Sequence, residues 1–194
     1  MSTRRFARIG GHPALDLANT VDWRLDPTRR HDHLTDMSEA LRCFAELHVI
    51  TPDERAQVAG AAVAHDESEL DAVRRLREAV YGVVIGDESA PGELSRQVVE
   101  ATAVATLARQ GDALEWMLPV DARMPRLRMA LLTVDLLTHE SLDRLARCDD
   151  DACGWVFLDR SPRHNRRWCV AEDCGNRNRV KAHYDRVRTT ADRA

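Results

Sequence analysis

Cys148-Asp149-Asp150-Asp151-Ala152-Cys153, followed fifteen residues later by Cys169-Val170-Ala171-Glu172-Asp173-Cys174-Gly175-Asn176-Arg177, governs the reading of this 194-residue chain. Each cysteine pair has four residues between its partners, and the joining segment is long enough for a hairpin. Four thiolates can then surround one tetrahedral ion, so Cys148, Cys153, Cys169 and Cys174 read as the ligands of one structural Zn2+. With four protein ligands no coordination position stays open to water, and the metal holds the fold without doing chemistry. Disulfides are the competing reading. They need an oxidising compartment, and the opening Met1-Ser2-Thr3-Arg4-Arg5-Phe6 has no apolar core of a secretory signal. The fifth cysteine, Cys43, is remote in sequence and reads as a buried small residue.

Between the cysteine pairs, Gly154-Trp155-Val156-Phe157-Leu158 is β-prone and 159–165 is turn-like, so a hairpin is expected there. Residues 177–188 read as a helix. Knuckle, hairpin and helix around one zinc make a treble-clef-like unit with too few apolar residues to fold alone; the metal contributes on the order of 10 kcal/mol. On the helix, Arg177, Lys181, Tyr184 and Arg188 share one face suited to phosphates and base edges. Val180 and Val187 share another with His183 and are expected to pack on the hairpin. Arg160, Arg163, Arg166 and Arg167 would add phosphate contacts from the turn. Arg177 has two readings, as a DNA contact or as a partner of the thiolates or a local carboxylate. Trp168 is expected over the zinc as core.

The charge pattern agrees. Between Arg160 and Arg188 nine Lys or Arg face Glu172, Asp173 and Asp185, while the whole chain carries −4. A basic module on an acidic body is the footprint of a nucleic-acid contact. Neutralising a four-thiolate zinc, formally −2, would occupy only two or three of those cations.

The run Phe157-Leu158-Asp159-Arg160-Ser161-Pro162-Arg163-His164-Asn165-Arg166-Arg167-Trp168-Cys169, with Cys174-Gly175-Asn176-Arg177 behind it, resembles the bacterial CGNR zinc finger. The resemblance implies DNA binding in transcription regulation. Asp149, Asp150 and Asp151 depart from it by making the first knuckle acidic, which argues against that knuckle as a phosphate contact. At the other end, Gly10-Gly11-His12-Pro13-Ala14-Leu15-Asp16-Leu17-Ala18-Asn19-Thr20 is similar to the opening motif of the ABATE domain. That resemblance implies an N-terminal regulatory domain ahead of the finger and names no ligand.

The expected architecture is mainly α with a small β-sheet (α+β) over residues 1–145, then the finger over 146–194. Arg4–Ile9 reads as an edge strand. Pro13 opens a helix toward Val21, although the alternation of Leu15, Leu17 and Val21 also fits a strand. Asp36 and Glu39 stand at capping-box spacing, and Thr51-Pro52-Asp53-Glu54 is a second helix start running to about Ala64. Leu70, Val73, Leu76, Val80 and Val84 mark the buried stripe of a helix over 68–85, with Arg74, Arg75 and Arg77 on its solvated face. A turn region over 86–92 and a helix over 93–109 follow. Residues 113–120 are then expected as a strand pairing with the N-terminal one, and 125–147 as a long helix leading directly into Cys148. His31 and His33 read as a solvated loop pair.

His12, Asp16 and Asn19 are the candidate pocket for a small-molecule effector; equally, Asp16 and Asn19 can satisfy buried backbone groups while His12 caps the turn. No nucleophile with a base partner is visible, nor a phosphate-cradling glycine loop, so no enzyme is expected. The longest nearly apolar run, Met129–Leu137, contains Thr133 and Asp135 and is too short to span a bilayer. The expectation is a cytoplasmic zinc-finger regulator that binds double-stranded DNA, its body sensing an effector or forming a homodimer. The rival is a zinc-stabilised small-molecule or protein-binding module that never touches DNA.

Overall fold

Leu70, Val73, Leu76 and Val80 recur every three or four residues and form the buried face of α4 (Glu67–Ile85). In the computed structural model, which describes residues 6–60 and 67–191, α4 is the hub of the body. It packs against α1 (Pro13–Ala18), α2 (Met37–Glu46), α5 (Ala90–Val104) and α6 (Met124–His139), and α2 carries α3 (Pro52–Gly60). Leu15, Leu17, Phe44, Leu76, Met124, Leu127, Met129 and Leu136 are fully buried between these helices. Cys43 lies among them, and burial pushes its thiol pKa up.

Both expected helix starts are present. Asp36 accepts from the Glu39 N–H at 2.9 Å. Thr51 Oγ1 accepts from the Glu54 N–H at 3.1 Å while Glu54 accepts from the Thr51 N–H at 2.9 Å, a reciprocal capping box. The expected end of α3 near Ala64 lies outside the described residues.

The arginine face of α4 differs from expectation. Arg77 is 3% exposed and grips Asp32 through both guanidinium nitrogens, at 2.6 and 2.8 Å. Arg74 donates to the Leu34 carbonyl at 2.7 Å; of the three, Arg75 alone stays on the solvent side, beside Glu93. A second buried arginine, Arg126, ties α6 to α4 and α5 through Glu69, Glu100 and Gln97. A guanidinium in a core costs several kcal/mol unless carboxylates surround it. Here two do, so the layer holds its register through charge as well as apolar packing.

The β-structure lies elsewhere than expected. Both readings of 13–21 are partly realised: the helix ends at Ala18, and β1 (Val21–Asp22) then pairs antiparallel with β2 (His31–Asp32). Phe6–Ile9 forms no strand, and residues 4 and 5 lie outside the described residues. The helix expected over 93–109 starts earlier, at Ala90, and stops at Val104. Thr106–Gln110 becomes β3, antiparallel to β4 (Ala113–Met117). Gly111, at φ +60°, makes the two-residue turn with Asp112, and that short closure wins over a long return to the N-terminus.

The long helix also ends early, at His139. A 3-10 turn (Leu142–Arg144) leads into β5 (Leu145–Arg147), which pairs with β6 (Val156–Leu158). The finger's hairpin therefore encloses the first cysteine pair instead of lying between the two pairs: Cys148–Cys153 is its metal-closed turn. The expected boundary at 145/146 falls within β5. A π-helical turn (Ala171–Gly175) then carries the chain into α7 (Asn176–Ala191).

Candidate zinc centre and nucleic-acid interface

The β5–β6 turn presents Cys148 and Cys153, the π-turn presents Cys174, and Cys169 precedes that turn in irregular chain, so the four cysteines meet at one point. Their Sγ atoms all lie within 4.8 Å of one another, with Cys153–Cys169 at 3.6 Å and Cys169–Cys174 at 3.4 Å. A tetrahedral zinc with Zn–S near 2.3 Å spaces its thiolates about 3.8 Å apart, so the cage fits that ion. All four cysteines are buried, and Phe157, Trp155 and Trp168 pack around them. Trp168 is partly buried and packs against the cysteine cluster, and it explains Gly175: a Cβ there would meet the Trp168 ring at 2.9 Å.

The cage is braced by polar groups on every side. The Cys169 N–H points at Cys148 Sγ (3.4 Å), and Arg177 Nη2 donates to Cys174 Sγ at 3.0 Å. The same guanidinium reaches Asp150 and Asp173, both at 3.0 Å, and lies 4.6 Å over the Trp23 ring. Of its two readings, Arg177 thus takes the second, as partner of thiolate and carboxylate. Asp150 is 5% exposed and accepts from the Ala152 and Cys153 N–H groups, Arg177 and Asn178. Burial alone would raise its pKa; the N–H groups and Arg177 outweigh that and hold it below the usual carboxylate range.

The other two knuckle aspartates face basic residues of the finger. Asp149 pairs with Arg167 at 2.7 Å and Asp151 with Lys181 at 2.8 Å, both pairs well exposed. Arg160 pairs with Glu140 of the body at 3.0 Å. Arg166 is clamped: it donates to the carbonyls of Ile9 (3.1 Å), Trp168 (3.1 Å) and Cys169 (2.6 Å) and stacks 4.0 Å over Phe157. Arg163 and Arg188 are exposed and form no ion pair among the described residues.

Beyond its first turn α7 buries no side chain among the described residues, and Lys181 reaches back to Asp151 of the knuckle at 2.8 Å. Every residue from Arg179 to Thr189 is exposed, including Val180 (47%), Tyr184 (66%) and Val187 (53%). Val180 and Val187 therefore do not pack on the hairpin, and β6 is covered instead by α1.

The sequence pattern of the CGNR zinc finger matches residues 144–187, and that of ABATE, described as "Putative stress-induced transcription regulator", matches residues 11–140. The chain belongs to the ABATE family. No curated protein matches it. In this ABATE protein the two family motifs, far apart in sequence, meet in space.

Asn19 is the clearest case. Its side-chain amide donates to the Val156 carbonyl at 2.8 Å and its oxygen accepts from the Val156 N–H at 2.7 Å, so it completes the β6 edge as a strand would. Leu158 N–H donates to Gly10 O at 2.8 Å, Arg24 N–H to Cys153 O at 2.9 Å, and Trp155 Nε1 to Val21 O at 3.0 Å. Asp16 accepts from the Gly10 N–H at 2.7 Å and holds the glycine turn in place; burial pushes its pKa up to about 6. His12 Nδ1 accepts from the Ala14 N–H at 3.2 Å and caps α1. Asp16 and Asn19 also border a cavity of about 100 Å³ with Thr20, Asp22, His33 and Trp155, which His12 does not reach. His33 is bound to Asp22 at 2.8 Å, so the histidine loop is tied to the body.

Sequence reasoning missed Trp23, Asp150, Asn178 and the clamping role of Arg166. The triple aspartate was the available signal, because a carboxylate run beside a basic finger invites internal pairing. Trp23 lies between Arg29 (3.6 Å) and Arg177 (4.6 Å), and nothing in its local sequence announces that.

Proposed function

We propose that this zinc-binding transcription regulator acts in the cytoplasm on double-stranded DNA, with α7 and the turn around Arg163 as its contact surface. The observation that carries the reading is α7 itself. It is anchored at its first turn by the metal cage and is exposed from Arg179 to Thr189, a stretch that carries Arg179, Lys181, Arg186 and Arg188 with one acidic residue, Asp185, while Lys181 also reaches Asp151 of the knuckle. A basic helix of 16 residues is about 24 Å long, enough to lie across a DNA groove. Zinc positions this helix and supplies no chemistry, and the protein is read as a non-enzyme.

A second reading rests on the same helix. Val180, Tyr184 and Val187 are spaced to form one exposed stripe, and Arg167, Arg177 and Lys181 already hold carboxylates. Those facts favour a protein partner.

Fluorescence anisotropy with mixed-sequence duplex DNA at two salt concentrations separates the two. The native protein should bind at low salt and weaken steeply as salt rises. Arg163→Ala with Arg188→Ala should reduce the slope of log K against log salt by about 2, since each phosphate contact contributes roughly 0.9. Absence of binding by the zinc-loaded protein at low salt would end the DNA reading and leave the apolar stripe as the surface to pursue.

A further inference from the structure

The β3–β4 ribbon is open to solvent on both faces: nine of its ten strand residues are exposed and Ala108 is half-buried. Its register sets Leu107 opposite Trp116 and Arg109 opposite Leu114, so these four side chains share one face. Leu107, Trp116 and Leu114 are 52%, 57% and 62% exposed. A two-stranded ribbon is marginal in water by itself, whereas a sheet of three or more strands with an apolar face is stable.

The edges are as bare as the faces. Among the described residues no backbone group of 106–117 bonds to backbone outside the ribbon. β4 borders a cleft of about 950 Å³ with Ile50, Leu131 and Leu132 of the body across it, and of β3 only Gln110 reaches that cleft. β3 is therefore the open edge. It carries no Lys, Pro or bulge, the usual guards of a free edge. The two-residue turn Gly111-Asp112 makes Gln110 and Ala113 the hydrogen-bonded closing pair. By alternation the N–H and C=O groups of Thr106, Ala108 and Gln110 face β4, while those of Leu107 and Arg109 face outward.

We propose that β3 pairs antiparallel with β3 of a second copy of the chain, about a two-fold axis at Ala108, and so builds a four-stranded sheet across a homodimer. The pattern of β3 is self-complementary in that register, the one that uses the whole strand. Leu107 lies opposite Arg109 of the second copy and exchanges backbone hydrogen bonds with it, Thr106 lies opposite Gln110 of the second copy, and the small Ala108 meets its own mate. No like charges stand directly opposite each other, as they would with Arg109 on the axis. One face of the sheet then joins Leu107, Leu114 and Trp116 of both copies, with the aliphatic stems of Arg109 between them. The inference is independent of the DNA reading, on which such a dimer would bring two fingers to paired half-sites.

The test is sedimentation velocity of the zinc-loaded full chain, in which the native protein should form a dimer at or below about 100 µM. Arg109→Pro removes an outward N–H and leaves the β3–β4 bonds in place, so it should weaken the dimer at least about tenfold while the helical circular-dichroism signal stays unchanged. Two charge variants test the register. Thr106→Lys with Gln110→Lys, and Thr106→Asp with Gln110→Asp, each set like charges opposite each other between the copies and should each weaken the dimer about tenfold. Both positions are exposed, and an equimolar mixture of the two variants should recover a dimer at least as strong as the native one. A native chain that stays monomeric at about 100 µM, which would leave the edge to a peptide of another protein, overturns the proposal. So does a dimer untouched by Arg109→Pro, or a pair of charge variants that shows no recovery on mixing.

Discussion

Arg166 shows how far a basic residue can be from the role its charge suggests. With three carbonyls and the Phe157 ring around its guanidinium, it joins the extended segment at Ile9 to the second cysteine pair. Arg166→Ala should lower stability by about 2–3 kcal/mol, because charge-assisted bonds are lost and carbonyls are left without donors. Urea unfolding of the zinc-loaded protein measures this, and a loss below about 0.5 kcal/mol would mean that water replaces the guanidinium freely. Asp16 gives a prediction in pH. Burial raises its folded pKa to about 6, above the ordinary aspartate value of 3.8, so its neutral form favours the folded state. That contribution is complete below pH 4 and is lost as pH rises through 6. Between pH 5 and pH 7 the native protein should therefore lose about 1 kcal/mol relative to Asp16→Asn. Parallel unfolding curves at the two pH values check the sign.

At the scale of elements, the acidic knuckle and α7 form one electrostatic unit. Asp149 and Asp151 place carboxylates on Arg167 and Lys181. On the DNA reading they are internal competitors, and Asp149→Asn with Asp151→Asn should tighten duplex binding about three- to tenfold at low salt. A matched pair of neutralisations away from the finger, Glu88→Gln with Asp112→Asn, controls for net charge and should change affinity far less. Equal effects of the two pairs would reduce the knuckle to its contribution to overall charge. Asp150 is excluded from this substitution because it braces the cage itself. Much of the helical layout was legible here: the capping residues of α2 and α3 and the stripe of α4 are local signals. The β3–β4 and β5–β6 pairings were not, since Thr106–Gln110 and Leu145–Arg147 continue helix-compatible sequence, and only a strand partner makes them extended.

For the whole molecule the consequence is that finger and body should unfold together. The metal-closed hairpin docks on the N-terminal motif through Asn19, Gly10, Arg24 and Val21, so removing zinc should loosen both. Chelation under non-denaturing conditions is expected to remove stabilisation on the order of 10 kcal/mol from the finger and to lower the melting temperature of the helical body as well. Calorimetry should show one transition before chelation and a lower, broader one after it. A body transition unchanged by chelation would show that the seam contributes little. Metal analysis should return one zinc per chain. Among the described residues no helix is long and apolar enough to cross a membrane.

The sequence alone determined the metal cage, because four cysteines in two equally spaced pairs leave a tetrahedral ion few alternatives, and it determined the helices whose caps and stripes lie within one or two turns. It also carried both family motifs. The tertiary structure decided what those motifs do to each other. Whether Asn19 faces a ligand or the edge of β6, whether Arg77 and Arg166 face water or carboxylates and carbonyls, and whether Val180 and Val187 are core or surface all depend on partners up to 157 residues away. Charge and apolarity are properties of a residue; burial and pairing are properties of a place, and the place exists only once the chain has closed on itself.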